Sequence, residues 1–352
     1  MKPLGTFLMV AGLGAGLALP SAGWSAADTV VFRDPRQQGK EVTKSGSVQR
    51  EAPESIEIGT GGTSLEIQAR DLVSVSHGDA PADYQQAEEA EQSLDFAAAA
   101  EGYKRALDAK GVRPWIQHDA RFHRADCLYR MGDLAGATAA FKETVEKAPE
   151  GRYRDRTKLR LGQCQLFQKA FGDAKAAFEA LMDSGPEKLN AGLWAGRVEE
   201  SQGNVDAARR AYEDVIIRAG KQVPEIEFAA RARQGSCDIA KGEPQKALEA
   251  LLPLVEQTSA EKPGGAALCN ALGQAYLAQA RAARAKPDEA KRLAFSGLMD
   301  FCRVLVYGEA YPEEHAAAYA GAEACLVLLG DARASQFKED RKRYYGDAFL
   351  LP

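Results

Sequence analysis

Hydrophobic and polar positions divide the chain into two parts with different periods. Between residues 28 and 78, short β-branched runs alternate with polar positions and are separated by Asp-Pro, Ser-Gly, Gly-Gly and Arg-Asp pairs, which predicts strands joined by turns. From residue 84 onward apolar residues recur at helical spacing, as in Ala99, Tyr103 and Ala106. The chain is therefore predicted to be mainly α, with a small all-β domain in front of a helical region.

The predicted β-domain spans residues 28–78, and residues 79–83 are interpreted as a linker to the helical region 84–352. Its five runs are 29–32, 40–43, 55–58, 64–67 and 72–75. Five short strands in so few residues indicate a small barrel of the SH3-like or Sm-like kind, and a β-meander lying against the helices is the alternative. A unit of this size is close to the lower limit for a stable core, so we expect it to dock.

The helical region repeats one phrase, in which a turn glycine is followed by an alanine five positions later and a large apolar residue nine positions later. The turn glycines are Gly132, Gly172, Gly203 and Gly242, at spacings of 40, 31 and 39. These spacings are typical of a helical-hairpin repeat. A first hairpin turns at Leu94-Asp95 without a glycine, and a last one is predicted from Glu313 through Gly330-Asp331 to Tyr345. We expect the apolar tail at 349–352 to cap or dock.

Three hairpins, at 115–149, 190–222 and 224–259, carry the same residue types at the same offsets. The matching residues are Ala125, Leu128, Gly132, Ala137, Phe141 and Pro149 in the second unit, Gly196, Gly203, Ala208 and Tyr212 in the fourth, and Gly235, Gly242, Ala247 and Leu251 in the fifth. These units resemble tetratricopeptide repeats (TPRs), in which small residues stand where two helices cross closely. The resemblance covers roughly residues 84–345 and implies a right-handed superhelical solenoid.

The third unit can be phased in two ways. One phasing places the turn at Gly172-Asp173. The other aligns Leu161-Gly162, Phe171, Ala174 and Phe178 with the neighbouring units. The second phasing shifts every groove position of this unit by three residues, and the sequence leaves both open.

The resemblance implies that the first helices of successive hairpins line a concave groove that binds a peptide or a partner helix. The implied partner-binding positions are Phe122, Asp126, Tyr129, Arg130, Leu193, Arg197, Ser236 and Ile239, joined under the second phasing by Leu159, Gln163 and Leu166. Arg197 would contact an acidic group, whereas each position could instead pack between hairpins. The Lys/Arg/Asn set with which the chaperone-docking subgroup binds C-terminal carboxylates is not reproduced, so that ligand is not predicted.

Residue types that carry catalysis or bind metals form no recognisable motif. The histidines are His77, His118, His123 and His315. They show no HExxH-like spacing, the cysteines show no CxxC spacing, and we interpret the histidines as surface or packing residues. The glycine cluster at 59–62 is better explained by a hairpin turn than by a phosphate-binding loop. No carboxylate is seen paired in an apolar context that would raise its pKa. The sequence therefore predicts no enzymatic activity, no cofactor and no metal.

The charge balance and the positions of the cysteines bear on two further questions, namely nucleic-acid binding and disulfide formation. Lys and Arg number 45 against 50 Asp and Glu, and the two signs interleave, so no nucleic-acid partner is expected. Cys127, Cys164 and Cys237 fall in the first helices of hairpins, where equivalent sites on neighbours are about 8–10 Å apart, too far for a disulfide. We predict buried free thiols there, and the remaining three cysteines are undecided.

The N-terminus is typical of an export signal spanning residues 1–27. Lys2 precedes an apolar stretch at 4–19, and the small residues Ser25, Ala26 and Ala27 precede Asp28. A membrane anchor is the alternative, but the stretch is short and glycine-rich. No cysteine lies near the cleavage site, which argues against a lipoprotein. We expect a periplasmic or secreted protein without stable membrane insertion after cleavage.

Two functions follow as hypotheses. The first is an exported, non-catalytic scaffold or adaptor that binds a protein or peptide partner of the cell envelope in its groove. The alternative is an accessory protein of an envelope enzyme complex that binds a ligand such as a glycan through the β-domain. An RNA-binding small barrel is disfavoured by the export signal and the acidic charge balance.

Overall fold

The computed structural model describes residues 27–183 and 185–351. The predicted export signal lies outside these residues, apart from Ala27. The described residues form a five-stranded sheet followed by fourteen α-helices, as the two periods of the sequence predict. Within these residues, no helix has both the length and the apolar character that crossing a membrane requires.

All five predicted strands are present in one antiparallel sheet. They are β1 (Asp28–Asp34), β2 (Lys40–Glu51), β3 (Ser55–Thr60), β4 (Thr63–Gln68) and β5 (Leu72–Ser76). The strand order β4-β3-β2-β1-β5 makes β1 to β4 a meander, and β5 returns beside β1. Within the described residues no ladder joins β4 to β5, so hydrogen bonds do not close a barrel. The glycine cluster forms the β3–β4 hairpin turn, as predicted.

Strand β2 continues well beyond the predicted end at residue 43. The Ser-Gly pair at 45–46 predicted a break, but Gly46 stays in the ladder opposite Asp28. A Cβ added at Gly46 would lie 2.1 Å from the carbonyl oxygen of Gly59, so only glycine fits where the two strands approach each other. The Ser-Gly pair, which resembles a turn signal in the sequence, therefore marks a close contact between two strands.

The helices pair into seven consecutive hairpins. They are α1 (Ala82–Gln92), α2 (Phe96–Asp108), α3 (Pro114–Arg130), α4 (Leu134–Lys147), α5 (Arg154–Phe167), α6 (Phe171–Met182), α7 (Lys188–Ser201), α8 (Val205–Ala219), α9 (Pro224–Ala240), α10 (Pro244–Val255), α11 (Pro263–Ala282), α12 (Pro287–Tyr307), α13 (Pro312–Leu329) and α14 (Ala334–Tyr345). Each helix packs on the next, which is the arrangement of a helical-hairpin solenoid.

Small residues stand where the two helices of a hairpin cross. A Cβ added at Gly196 would lie 2.5 Å from the Tyr212 ring, and one at Gly235 would lie 2.6 Å from Leu251. In the third hairpin the corresponding pair is Gly162 and Phe178, again at 2.6 Å. The predicted small residues at the crossings of the fourth and fifth units are therefore confirmed, and the third unit follows the second phasing.

The phasing of the third unit on Gly172-Asp173 is wrong. Gly172 lies inside α6, is exposed and has no atom near its missing Cβ. The hairpin turns at Lys169, whose φ of 63° is close to the 78° of Gly132 and the 80° of Gly203. Because a lysine here adopts the left-handed conformation that usually selects glycine, the sequence marks the turn at the wrong residue.

The C-terminal tail docks on the second and third hairpins, as predicted. Phe349 is 4% exposed, and its ring centroid lies 5.1 Å from that of Tyr129 and 5.0 Å from that of Phe167. At the start of α13, the Glu313 carboxylate lies 3.4 Å from the Tyr129 hydroxyl. The end of the chain therefore covers part of the concave face of its own solenoid.

All six cysteines are free, so the prediction of unpaired thiols is confirmed. Cys127, Cys164 and Cys237 lie in α3, α5 and α9, the first helices of their hairpins. Burial raises the pKa of Cys164 and of Cys237 to about 12. These thiols act as small apolar side chains.

Candidate functional site

A cavity of about 280 Å³ opens on the concave side of the solenoid. The first helices α5, α7, α9 and α11 line it, together with residues 311–314 at the start of α13. Its lining contains four arginines: Arg156, Arg160, Arg197 and Arg233. The four charged side chains come from successive hairpins because each first helix presents one face to the groove. We call this cavity the arginine pocket.

Two of these arginines are neutralised within the protein. Arg160 Nε lies 2.8 Å from Asp126 Oδ1, and Arg233 forms an ion pair with Glu314. Asn270 Nδ2 also donates to Glu314 Oε2, over 2.7 Å. Burial would raise the pKa of Glu314, but Arg233 and Arg197 lower it, so this carboxylate is ionised. These ion pairs fix the positions of the side chains that line the pocket.

Arg156 and Arg197 form no ion pair with any described residue, and of these two only Arg197 is buried. It is 8% exposed, and its Cζ lies 4.5 Å from the ring centroid of Trp194 and 5.6 Å from that of Phe167. Burial lowers the pKa of Arg197, and the nearby charge of Arg233 lowers it further. The aromatic rings offset part of the desolvation, but they accept no hydrogen bond from its N–H groups.

The geometry around Arg197 suits an anionic group. A guanidinium that lies on aromatic faces keeps its edge free to donate two parallel hydrogen bonds to a carboxylate. The other glutamates of the lining have partners of their own: Glu187 accepts from Asn190 over 2.6 Å, and Glu225 accepts from the Gly264 amide over 3.2 Å. Arg197 is therefore the buried cation of the pocket that has no ion pair among the described residues.

The structure brings some of the predicted groove residues to this pocket. Leu193 and Arg197 line it from α7, and Leu159 and Gln163 line it from α5. The latter two entered the prediction only with the second phasing. Leu166, the third residue of that set, is fully buried in the core between hairpins.

Phe122, Asp126 and Tyr129 are almost fully buried, and their contacts are internal. Phe122 stacks on Tyr153 with centroids 4.2 Å apart, and Tyr129 lies under Phe349. Arg130 Nε donates to Asp126 Oδ2 over 2.8 Å, and Arg130 also lies over the Phe96 ring. At these positions the side chains pack inside the protein, which is the alternative to partner binding that the sequence left open.

Ser236 and Ile239 lie on α9 away from the pocket lining. Both are partly buried. Ser236 donates to the carbonyl of Ala232 over 3.4 Å, and Ile239 packs on the core formed by α9, α10 and α11. Neither contributes to the arginine pocket.

Sequence reasoning missed Arg160, Trp194 and Arg233. Each stands two residues before the crossing glycine of its unit, at Gly162, Gly196 and Gly235 respectively. The predicted set used only other offsets from the crossing position. Extending the repeat alignment by this one offset would have found all three.

Among the histidines, His77 is buried and has charged neighbours. Its side chain is 1% exposed and lies among the carboxylates of Glu51 and Asp119. The three side chains offer ligand atoms within 4.8 Å of one another and could hold a metal ion. Burial and the charge of Asp119 raise the pKa of Glu51 to about 7. The expectation that no carboxylate is paired in a context that raises its pKa is therefore wrong.

Comparisons with known proteins agree with the helical architecture. Residues 71–230 match the family model described as a tetratricopeptide repeat-like domain. No curated protein shows significant sequence similarity to the chain. Residues 71–230 are therefore similar to a TPR-like domain, and the helical part as a whole is a solenoid of helical hairpins that follows a small antiparallel sheet.

Several solved structures are similar at low identity. The C-terminal part of a TPR repeat-containing protein from Cytophaga hutchinsonii is 15% identical, with 72% of this chain and 98% of that chain covered and a TM-score of 0.41. A tetratricopeptide repeat protein from Parabacteroides merdae is 11% identical, with 69% and 97% covered and a TM-score of 0.40. A MamA RS-1 double mutant is 15% identical, with 50% and 95% covered and a TM-score of 0.39.

Proposed function

We propose that the protein is an exported, non-catalytic scaffold that binds an acidic segment of a protein partner in the arginine pocket. The TPR-like fold is that of a protein-interaction scaffold. The export signal at residues 1–27 supports a partner in the periplasm or outside the cell. One observation carries the choice of site, namely that Arg197 is buried beside Arg233 without an acidic partner of its own.

An unpaired buried cation is unfavourable, so the pocket gains from an incoming carboxylate. Removing one member of a buried, hydrogen-bonded charge pair at an interface weakens binding by about 2–5 kcal/mol. The cavity adjoins apolar side chains, among them Leu159, Leu193 and Trp194. An extended peptide that carries an acidic residue next to an apolar one matches this lining.

The β-domain has weaker support as a glycan-binding module. Its only aromatic residue is Phe32, which is 6% exposed and lies in the core of the sheet. The described surface of the sheet therefore offers no aromatic face on which a sugar ring could stack. The sheet contacts the solenoid through ion pairs such as Arg113–Asp28 and Arg154–Glu54.

The proposed function can be tested with a charge reversal at the pocket. A tagged chain is used to recover partners from an envelope extract, with Arg197→Glu as the test variant. Arg218→Glu is the matched control, because Arg218 lies on the second helix α8 and pairs locally with Asp214 at 3.1 Å. We expect one stoichiometric partner with the wild type and the control, and its loss with Arg197→Glu.

Two results would count against the proposal. The first is undiminished recovery of the partner by Arg197→Glu, which would place binding elsewhere on the solenoid. The second concerns export: N-terminal sequencing of the native protein should begin at Asp28. A mature chain that retains residues 1–27 would remove the export part of the proposal.

A further inference from the structure

A second polar cluster lies where the sheet docks on the solenoid. Glu51 ends β2, His77 directly follows β5, and Asp119 lies on α3. Their side chains are at most 1% exposed, and Arg152, just before α5, closes the cluster from the side of the third hairpin. Residues from both parts of the chain thus meet in one enclosed site, which we call the junction cluster.

Several polar atoms of the junction cluster lack hydrogen-bond partners. Both carboxylate oxygens of Glu51 and both ring nitrogens of His77 are buried without a partner among the described residues. Buried polar groups in folded proteins are nearly always hydrogen-bonded, and exceptions call for an unseen water or ion. Of these atoms, Glu51 Oε1 and His77 Nε2 face each other, so one group bound between them would satisfy both.

The distances between the side chains fit a bound cation. His77 Nε2 lies 3.4 Å from Glu51 Oε1 and 3.5 Å from Asp119 Oδ2. Charge-assisted hydrogen bonds are shorter, at about 2.7–2.9 Å. In a tetrahedral zinc site, ligand atoms about 2.0–2.1 Å from the metal lie about 3.3 Å from each other. The two separations from His77 are close to this value, and the ligand atoms of all three residues lie within 4.8 Å of one another.

The charges of the junction cluster also leave room for a cation. Arg113 pairs with Asp28 and Asp79, and Arg152 pairs with Asp119 and approaches Glu51 Oε2 to 3.5 Å. The three buried carboxylates Asp28, Glu51 and Asp119 thus face two guanidiniums, and at least one positive charge is missing. Either a proton on His77 or a bound cation supplies it.

We propose that Glu51, His77 and Asp119 bind one divalent transition-metal cation, with zinc as the first candidate. One imidazole and two carboxylates are ligands that Zn²⁺ accepts. Arg152 holds Asp119 from outside the ligand set and orients it, as outer-shell partners of metal ligands do. The ion ties the sheet to α3 and is independent of the arginine pocket.

The proposal is tested by metal binding to the full chain. Protein stripped with a chelator is dialysed against ZnCl₂, and the bound zinc is counted per chain. We expect one zinc ion per chain and a higher midpoint of thermal unfolding with zinc than without it. Glu51→Gln and His77→Ala should each weaken zinc binding at least 100-fold. Arg152→Lys should weaken it about 10–100-fold, because Arg152 acts only through a ligand.

His118→Ala is the matched control. His118 neighbours Asp119 in sequence but faces Gly151, so zinc binding should be unchanged. Far-UV circular dichroism identifies a variant that fails to fold, and the near-isosteric Glu51→Gln keeps the test valid in that case. Failure of the wild type to bind zinc, manganese or cobalt at millimolar concentration would overturn the proposal. So would full stoichiometry in both ligand variants, which would place the ion elsewhere.

Discussion

At the residue scale, Arg197 is the side chain on which the proposed function depends. Its guanidinium is desolvated by the walls of the arginine pocket and repelled by Arg233. A buried charge without a partner lowers the stability of the protein that contains it. Functional sites often retain such groups because the ligand supplies the missing interaction.

Arg197→Met should therefore change stability and binding in opposite directions. We expect the free energy of unfolding without partner to rise by about 0.5–2 kcal/mol, while partner binding weakens by about 2–5 kcal/mol. Chemical denaturation measures the change in the free energy of unfolding, and an affinity measurement gives the change in partner binding. Arg233→Met is the control: it leaves Glu314 buried and unpaired, so it should destabilise the protein by about 3–5 kcal/mol. A destabilised Arg197→Met would mean that Arg197 has a structural partner after all.

Asp300 on α12 gives a second prediction, in which the contribution of this residue to folding stability depends on pH. It is 7% exposed, and burial raises its pKa from 3.8 to about 6 even though Arg303 Nη1 lies 3.1 Å away. Because the folded state holds this proton more tightly than the unfolded chain does, the stability it provides is present below pH 3.8 and is lost as pH rises through about 6.

Asp300→Asn should remove this loss, since the amide stays neutral at every pH. We expect the free energy of unfolding at pH 7.5 to rise by about 1–3 kcal/mol, with no gain at about pH 3.5. Urea denaturation at the two pH values measures the difference. Asp206→Asn, at an exposed aspartate that pairs with Lys241, should show no gain at pH 7.5. A gain for Asp300→Asn of equal size at both pH values would contradict the assignment.

At the element scale, the crossing of two helices defines each hairpin. Gly162 and Gly172 provide a matched test, because one lies at a crossing and the other on an exposed helix start. We expect Gly162→Ala to cost about 1–3 kcal/mol by forcing a Cβ against the Phe178 ring. Gly172→Ala should be neutral or stabilising by up to about 1 kcal/mol. Thermal unfolding measures the stability of both variants. If Gly172→Ala were the more destabilising of the two, the phasing on Gly172 would be correct.

The hairpins could be predicted from the sequence because their signals are local. Helix period, turn residues and crossing glycines all lie within one unit, and the pair Gly196 and Tyr212 is found by counting along the chain. The phase of the third unit could not be fixed, because Lys169 takes the left-handed turn conformation without the glycine that usually marks it. The end of β2 was missed for the opposite reason, since Gly46 is a close contact and not a turn.

At the scale of the whole molecule, the sites are built from residues far apart in the chain. Glu51, His77 and Asp119 belong to no common motif, and only the docking of the sheet brings them together. The arginine pocket likewise needs the start of α13, with Glu314, to fold back against α9. Repeat offsets predicted Leu193 and Arg197 but not which groove positions the C-terminal tail covers. Such contacts between distant segments leave no periodic signal in a single sequence.

The central claim is that a partner segment lies in the arginine pocket, and site-specific photo-crosslinking in the native cell tests it most directly. The photoreactive residue replaces Asn190, which lines the pocket, and in a control it replaces Glu213 on the exposed face of α8. The account predicts one dominant partner adduct from position 190, none from position 213, and loss of the adduct when Arg197→Glu is added. An adduct of equal yield from position 213, or one that persists with Arg197→Glu, would contradict it.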